Sequence, residues 1–197
     1  SRQQVDADPT ERDGRGHAGL FTNTGGGTFS SPVGWYCTMT YAGGQFTVTW
    51  PHNDRWFFNS AGRLLAQTTR NGAGWTCSYD AGGRLVAIMD YLGRTAVFQN
   101  YATGRLNSIT DWYFENGSQR TILFSYDSTG NLVSVRLPGT AQHNYEGPTL
   151  NFVYASSRIT DVIASDGKTV CQNVYNAGAK VQTRRMGDNL ASVYSLT

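Results

Sequence analysis

Residue types that perform catalysis or bind metals are sparse in this sequence. The three histidines, His17, His52 and His143, fall in a polar segment or in predicted turns. No histidine, cysteine or acidic residue has the spacing of a metal site, and no serine lies in a Gly-x-Ser-x-Gly nucleophile motif. Asp111 and Glu115 form a pair of carboxylates without a defined catalytic spacing, which is typical of a solvated loop. The sequence therefore predicts a protein that is not an enzyme and uses no cofactor or metal.

The three cysteines allow two interpretations. Cys37, Cys77 and Cys171 all lie at positions that alternate onto the apolar face of a predicted strand. Free cysteine is among the most buried residue types, so the three are interpreted as core thiols. In a secreted protein a disulfide is the alternative, with Cys37 and Cys77 as the pair.

Consecutive aromatic residues form the best candidate binding site. Trp112, Tyr113 and Phe114 lie in residues 111–118, which are predicted to be an extended loop, and a second such loop is predicted at 138–148. Exposed rings on loops stack on sugars or anchor protein partners, so the sequence predicts a glycan or a cell-surface protein as the ligand. The alternative is that these rings continue the core of the sheet.

The elements that position these residues follow from a phrase that recurs about every 21 residues. It consists of an aromatic residue, a turn ending in glycine, and Arg-Leu or a close variant. Its copies begin at Phe58, Tyr79, Tyr101, Tyr126, Tyr154 and Tyr175. Self-similarity at this period indicates a repeat architecture in which each unit packs on its neighbours.

Each repeat is predicted to form two strands. An outgoing strand follows the Arg-Leu step, a second glycine turn follows, and a return strand leads to the next aromatic residue. Side chains two and four residues before that aromatic share one face of the return strand and are predicted to form the core. They are Trp56, Cys77, Phe124, Phe152 and the exception Asn173, and Trp75, Ile122, Leu150 and Cys171.

Two features of the phrase bear on the hairpin geometry. Leu85 and Ile88 are three residues apart on an outgoing strand, so either both faces are partly covered or a bulge intervenes. The aspartate after the aromatic residue, as in Asp80 and Asp127, is interpreted as a turn former and not as an acid catalyst.

Composition excludes further classes of protein. Charged residues make up 15% of the chain and the net charge is +2, which argues against a nucleic acid as partner. No stretch approaches the ~20 apolar residues of a membrane span. Residues 1–19 are interpreted as a polar N-terminal tail and residues 20–197 as one β domain. The hypothesis for the tail is that it packs on a neighbouring copy, and the alternative is that it lies on its own sheet.

The phrase resembles a known signature. Tyr79–Leu85 is similar to the YDxxGRL motif of the RHS family, also called YD-repeat proteins, and Tyr126–Leu132 is similar to its YDxxGNL variant. Thr69–Gly72 resembles the DRNG turn of bacterial members. The likeness covers residues 20–190. Departures from the motif are Asn59, Ala155 and Asn176 in place of aspartate, and the loss of glycine in the copy that contains Arg158.

The resemblance implies a fold. Members of the family wind two-stranded units into a long sheet that spirals into a hollow shell, which encloses a toxin domain in bacterial toxins and takes part in cell contact in teneurins. We therefore expect an all-β protein in which stacked two-stranded YD-repeat hairpins form a continuous, antiparallel, spiralling sheet. The self-cleavage segment of bacterial shells has no match here, so no catalytic residue is transferred, and so few repeats are not expected to enclose a cargo alone.

These observations predict a non-catalytic structural module of a secreted or cell-surface protein, such as a shell, a scaffold, or a subunit of a self-assembling filament or tube. The sheet edges and the N-terminal tail are expected to mediate self-association. The alternative function is a glycan- or cell-surface-binding module of an RHS-type adhesin or toxin. A hydrolase has no supporting set of residues.

Overall fold

The computed structural model describes residues 10–12, 18–115, 118–139, 146–186 and 192–195 of the 197-residue chain. The chain divides into two compact units, Ser1–Thr95 and Ala96–Thr197. Within the described ranges the fold is all-β, as predicted, and the one helical element is a 3-10 turn at Pro51–Asn53. The described part of the chain contains no helix with the length and hydrophobicity of a transmembrane segment.

The first unit is built from short antiparallel strands. They are β1 Thr10–Arg12, β2 Ala18–Leu20, β3 Thr22–Gly25, β4 Thr28–Ser30, β5 Thr38–Ala42, β6 Gln45–Thr49, β7 Arg55–Asn59, β8 Leu64–Thr68, β9 Gly74–Tyr79 and β10 Leu85–Asp90. β1 pairs with β2, and β3 to β10 form a meander in which each strand pairs with the next.

The second unit continues the meander pattern with longer strands. They are β11 Thr95–Asn100, β12 Leu106–Glu115, β13 Ser118–Tyr126, β14 Leu132–Pro138, β15 Glu146–Ala155, β16 Arg158–Ala164, β17 Thr169–Tyr175, β18 Val181–Met186 and β19 Ser192–Ser195. Each of them pairs antiparallel with its neighbour in sequence. Stacked antiparallel hairpins are therefore confirmed in both units.

A β-bulge explains the three-residue spacing on the outgoing strands. Leu85 pairs with Tyr79, but Ala87 pairs with Ser78, so one residue of β10 is extra at this point. Leu85 and Ile88 therefore lie on the same face of the sheet, where their cross-strand partners are Tyr79 and Cys77. The same register shift follows the Leu, Ile or Val of the phrase in the other repeat hairpins.

The third repeat has a different register from the predicted one. Asn100, and not Tyr101, pairs with Leu106, in the way that Tyr79 pairs with Leu85. Tyr101 therefore occupies the turn position that Asp80 holds in the preceding repeat. The third copy therefore starts at Asn100 and not at the aromatic residue Tyr101, and the 21-residue spacing from Gly83 to Gly104 agrees with this register.

Among the described residues, the buried apolar core lies within residues 21–48, before the repeat hairpins. The buried residues that form it are Phe21, Phe29, Cys37, Met39, Phe46 and Val48, and Trp35, Tyr41, Trp50, Trp56 and Phe58 pack against them. The predicted row of return-strand side chains is only half-buried, for example at Phe124 and Phe152. The prediction that this row is the core is therefore wrong. Hairpins that lie side by side in one sheet cover one another along the strand edges and cover the faces of the sheet less.

The predicted loop at 111–118 is largely strand. β12 extends to Glu115 and β13 begins at Ser118, so the additional residues of this repeat lengthen a hairpin. The second predicted loop, 138–148, also lies partly in strands, since Pro138 pairs with Glu146, while residues 140–145 lie outside the described residues.

The terminal segments are described in part. Thr10–Arg12 pairs with Ala18–Leu20, so this part of the predicted tail forms a hairpin with residues that follow it. Residues 1–9 and 13–17, on which the predicted packing against a neighbouring copy also depends, lie outside the described residues. Ser192–Ser195 forms the predicted further strand near the C-terminus and pairs with β18.

Candidate functional site

The acidic or amide residue that follows the repeat aromatic holds the turn. Oδ1 of Asp80 accepts the Arg84 backbone N–H at 2.9 Å, and Oδ1 of Asn59 accepts the Arg63 N–H at the same distance. Asp127 accepts hydrogen bonds from the backbone and side chains of Thr129 and Asn131. The interpretation of these residues as turn formers is therefore confirmed.

These hydrogen bonds stabilise the ionised form of the aspartates. The Thr129 hydroxyl, followed by the Asn131 groups, lowers the pKa of Asp127 to about 2. The Arg84 backbone N–H and guanidinium lower the pKa of Asp80, and the Arg94 guanidinium lowers the pKa of Asp90. A carboxylate whose proton is lost this readily and whose oxygens are engaged in a turn is poorly suited to acid–base catalysis near neutral pH.

In three of the repeats, the tyrosine of the phrase links the repeat to the one before it. Its hydroxyl donates a hydrogen bond to the backbone carbonyl of the Leu or Ile in the preceding phrase. The pairs are Tyr79 to Leu64 at 2.7 Å, Tyr154 to Leu132 at 2.9 Å and Tyr175 to Ile159 at 2.8 Å. The acceptor residue lies next to the β-bulge, so the tyrosine satisfies a carbonyl where the ladder is interrupted. We call this contact the inter-repeat tyrosine hydrogen bond.

The arginine of the phrase makes a second connection to the next repeat. The guanidinium carbon of Arg105 lies 5.7 Å from the centre of the Tyr126 ring, and that of Arg158 lies 5.7 Å from the centre of the Tyr175 ring. Both are cation–π distances. Arginine is preferred to lysine in such a position because its planar group stacks on a ring.

The glycine of the next turn makes room for that arginine. A Cβ atom at Gly83 would lie 2.0 Å from Nη2 of Arg63, and one at Gly130 would lie 1.9 Å from Nη2 of Arg105. Gly83 also has a φ of 75°, in the left-handed region. The positive φ of the turn therefore favours glycine at this position, and a larger residue there would also displace the arginine side chain of the preceding repeat.

One repeat departs from this scheme. Arg84 forms an ion pair with its own Asp80, with 2.7 Å between Nε and Oδ2. The position that holds tyrosine in most other copies of the phrase is Asn100 in the repeat that follows Arg84. Arg84 thus pairs with a carboxylate of its own turn in the one case where the following repeat has asparagine in place of the aromatic residue.

The predicted binding residues lie on a wide bulge of the β12–β13 hairpin. Thr110 pairs with Thr121, and Phe114 pairs with Gln119. Between these pairs, one strand has the three residues Asp111, Trp112 and Tyr113, and the other strand has only Arg120. The Trp112 and Tyr113 side chains are 44% and 47% exposed. The side chain of Phe114 lies outside the described residues. The described rings therefore do not continue the core of the sheet.

Polar contacts hold the bulge in shape. The Tyr113 backbone N–H donates to Oδ1 of Asp111 at 2.9 Å, and Arg120 forms an ion pair with Oδ2 of the same carboxylate. The Arg120 guanidinium carbon also lies 4.6 Å from the centre of the Tyr113 ring. We call Asp111, Trp112, Tyr113 and Arg120 the aromatic bulge.

The other candidate residues for chemistry remain dispersed. No group of three His, Cys, Asp or Glu side chains that could hold a metal ion occurs in the described part of the chain. His52 lies in the 3-10 turn, whereas His17 and His143 lie outside the described residues. Cys37 is buried, and Cys77 and Cys171 are half-buried free thiols, so the Cys37–Cys77 disulfide is not formed. Burial raises the pKa of the Cys77 thiol, which disfavours the reactive thiolate.

The connections between repeats were not predicted from the sequence. The recurrence of Tyr, Gly and Arg was visible, but the partner of each side chain lies 15–25 residues away in the neighbouring repeat. The signal that could have found them is the period itself. A residue type that recurs once per repeat and is not needed by its own turn is a candidate for contact with the next repeat.

Comparison with known proteins supports the repeat assignment. The RHS repeat family model matches residues 58–95. The chain therefore carries an RHS repeat there, and the resemblance to the family is confirmed over those residues. No curated protein matches the sequence.

The chain also matches solved structures at low sequence identity. A crystal structure of TcdB2-TccC3-Cdc42 has 14% identity and a TM-score of 0.47, with 89% of this chain and 12% of that chain covered. A structure of the Photorhabdus luminescens Tc holotoxin pore has 13% identity and a TM-score of 0.46, with 86% of this chain and 12% of that chain covered. This chain thus spans 12% of the length of the solved chains that it matches.

Proposed function

We propose that this RHS-repeat chain is a non-catalytic structural module of a secreted or cell-surface protein and forms part of a wall or scaffold. The observation that supports the proposal is the use of the repeated side chains. Tyr79, Tyr154 and Tyr175 each donate a hydrogen bond into the preceding repeat. The most regular residues of the sequence therefore join hairpin to hairpin.

A contact that recurs between neighbouring repeats is suited to an extended wall. A stack of repeats is stabilised by the sum of contacts between nearest neighbours, so one recurring contact extends a surface by as many units as the chain provides. Arg63 and Arg105 add packing against the glycine of the next turn. A toxin shell of the RHS type is the form of wall that the family match suggests.

The proposal includes self-association of the module. Strand edges pair readily with further strands, and the polar tail, residues 1–19, is proposed to add a contact with a neighbouring copy. Assembly is measured by sedimentation velocity of the full chain over a range of concentrations, beside a variant that lacks residues 1–19. We expect the full chain to form larger species as the concentration rises and the truncated chain to remain smaller. A full chain that stays monomeric, or a truncated chain that assembles to the same size, contradicts the proposed self-association.

The wall itself is tested by comparing two double variants. Replacing Tyr154 and Tyr175 with phenylalanine removes two inter-repeat tyrosine hydrogen bonds, and replacing Trp112 and Tyr113 with alanine removes two exposed rings. In a structural module we expect the first pair to lower the unfolding temperature more than the second pair does. A larger loss from the exposed pair contradicts the proposal.

A second candidate function is binding of a glycan or a cell-surface protein at the aromatic bulge. The observation that favours it is that Trp112 and Tyr113 are exposed on a bulge held by the Asp111–Arg120 ion pair. Rigid exposed rings bind with little loss of conformational entropy. Glycan-array binding by the full chain, and its loss in the Trp112→Ala variant with the fold intact, is the expected result. A chain that binds no glycan and no cell surface, or that binds equally after this substitution, contradicts it.

A further inference from the structure

A cavity of about 250 Å³ lies where the repeat pattern is irregular. It is lined by residues of the third phrase and by the start of the fourth phrase with the residue before it, namely Tyr101, Thr103, Arg105, Ser125, Tyr126 and Asp127. All of these residues lie in the second unit. Tyr101 is present here because it occupies the turn position that aspartate holds in the preceding repeat.

The displaced tyrosine changes the hydrogen bonds around the cavity. Tyr101 donates its hydroxyl to the Phe124 carbonyl at 3.0 Å and packs edge-to-face on Tyr126, with 6.1 Å between ring centres. The Tyr126 hydroxyl, at the position of an inter-repeat tyrosine hydrogen bond, makes no hydrogen bond within the described ranges. It is therefore a donor and an acceptor available to a ligand.

Arg105 is available for the same reason. Its guanidinium stacks over the Tyr126 ring and packs on Gly130, but within the described ranges the guanidinium forms neither an ion pair nor a hydrogen bond. This contrasts with Arg84, which is paired with Asp80. A guanidinium has five N–H donors, so Arg105 offers the cavity a set of planar donors with a fixed geometry.

Acceptors and an apolar surface complete the lining. Oδ1 of Asp127 is used by the turn. Oδ2 accepts the Asn131 side chain at 3.0 Å, with no second donor among the described residues, and retains acceptor capacity. The Tyr101 side chain is 39% exposed. The cavity thus brings together a guanidinium, a carboxylate oxygen, hydroxyls and an aromatic ring.

We propose that this cavity binds a neutral pyranose sugar, either free or as a residue of a glycan. Adjacent sugar hydroxyls both donate and accept, so they match Asp127 and Arg105 together, and the C–H groups of a pyranose pack on an aromatic ring. An anion fits less well because the ionised Asp127 carboxylate repels it. The site is distinct from the aromatic bulge, and the proposed wall function does not depend on it.

The test is a titration of the full chain by two-dimensional amide NMR. The probes are the methyl glycosides of glucose, galactose and mannose, with sodium acetate and sodium sulfate at matched ionic strength as anion probes. We expect one of the sugars to shift the amide signals of Tyr101, Arg105 and Tyr126 with saturation in the millimolar range, and neither anion to do so.

Matched variants connect the signal to the cavity. We expect Arg105→Gln to weaken sugar binding at least about tenfold and Tyr126→Phe to weaken it about fivefold. Arg84→Gln and Tyr154→Phe are the controls, since those side chains are engaged elsewhere, and we expect binding to remain unchanged. If Arg105→Gln does not fold, Tyr126→Phe decides the outcome.

Three results overturn the proposal. The first is the absence of a shift with every sugar tested, and the second is saturation by acetate or sulfate instead of a sugar. The third is a shift that centres on Trp112 and Tyr113 and is insensitive to Tyr126→Phe, which would place sugar binding at the aromatic bulge.

Discussion

The two units of the chain bury different kinds of side chain. The first unit contains an apolar core with Phe21 and Val48 fully buried. In the second unit, the buried residues among those described are the polar Ser108 and Asn173. The repeat hairpins of the second unit therefore form without a dry apolar centre of their own in the described ranges.

The buried polar residues of the second unit are satisfied. Ser108 donates to the Gln99 side chain at 3.3 Å, and Asn173 donates to the Ile159 carbonyl at 3.0 Å and accepts the Arg184 Nε–H at 3.0 Å. A buried polar group stabilises a fold only if its partners are present. The comparison shows that the first unit relies on apolar burial, whereas the second relies on strand pairing and on contacts that recur from repeat to repeat.

The strongest test of this comparison removes one ring from each unit. Phe21→Ala leaves a cavity in the apolar core, and we expect it to lower the free energy of unfolding by about 3–5 kcal/mol. Phe124→Ala removes a half-buried ring of the second unit, and we expect a loss of about 1–3 kcal/mol. Denaturant titrations followed by circular dichroism measure both, and equal losses would show that the two units are stabilised in the same way.

A pair of glycine substitutions isolates the contribution of the arginine. Gly83→Ala and Gly93→Ala both place alanine at a φ near +75°, at a cost of about 1–2 kcal/mol. Only at Gly83 does the new methyl group meet the Arg63 guanidinium, whereas the space at Gly93 is open. We expect Gly83→Ala to cost about 1 kcal/mol more than Gly93→Ala.

The Arg63→Ala background provides the control for that difference. Without the guanidinium the two glycine substitutions should cost the same, which a double-mutant cycle in denaturant measures. A difference that persists in this background would mean that Arg63 is not its cause.

The inter-repeat tyrosine hydrogen bond is tested by removing single hydroxyl groups. Tyr154→Phe removes a hydrogen bond to the Leu132 carbonyl, and we expect it to cost about 0.5–1.5 kcal/mol. Tyr126→Phe is the matched control at the same position of the phrase, and we expect a change within about 0.5 kcal/mol. Equal losses in thermal and chemical denaturation would argue against a role for this hydrogen bond in stability.

The smallest expected effect concerns acid stability. The pKa of Asp127 is about 2 in the folded chain, below the usual value of about 3.9. Because the pKa is lowered on folding, the ionised group stabilises the fold above about pH 4, and this contribution is lost as the pH falls toward 2.

Asp127→Asn keeps an acceptor for the turn, as Asn59 shows, but removes the titration. We expect the unfolding temperature of the variant to fall less steeply than that of the wild type between about pH 4 and 2. Other carboxylates with a lowered pKa, such as Asp80, titrate in both proteins. The measurement is therefore the difference between the two proteins in how the unfolding temperature changes with pH. Parallel series would show that Asp127 contributes nothing in this range.

Local features could be predicted because their causes are local. The turns at Asp80 and Asp127 depend on a short polar side chain and on a glycine three residues later, and both are visible in the sequence. Alternation likewise predicted that Cys37 lies on the apolar face of its segment, and Cys37 is buried. For the aromatic segment at Trp112 the sequence left exposure and burial in the core as alternatives. The structure shows an exposed ring on a bulge of a hairpin and not in a loop.

The sequence by itself determined the period, the turns, the antiparallel hairpins and the all-β class, because each of these follows from residues within a single repeat. Only the tertiary structure decided the bulge that brings Leu85 and Ile88 to one face, the register in which Tyr101 takes a turn position, and the location of the core in the strands before the repeats. These features depend on how strands pair and which faces are covered. The partner of Arg63 at Gly83 is a further example, because pairing brings together residues that no local pattern connects.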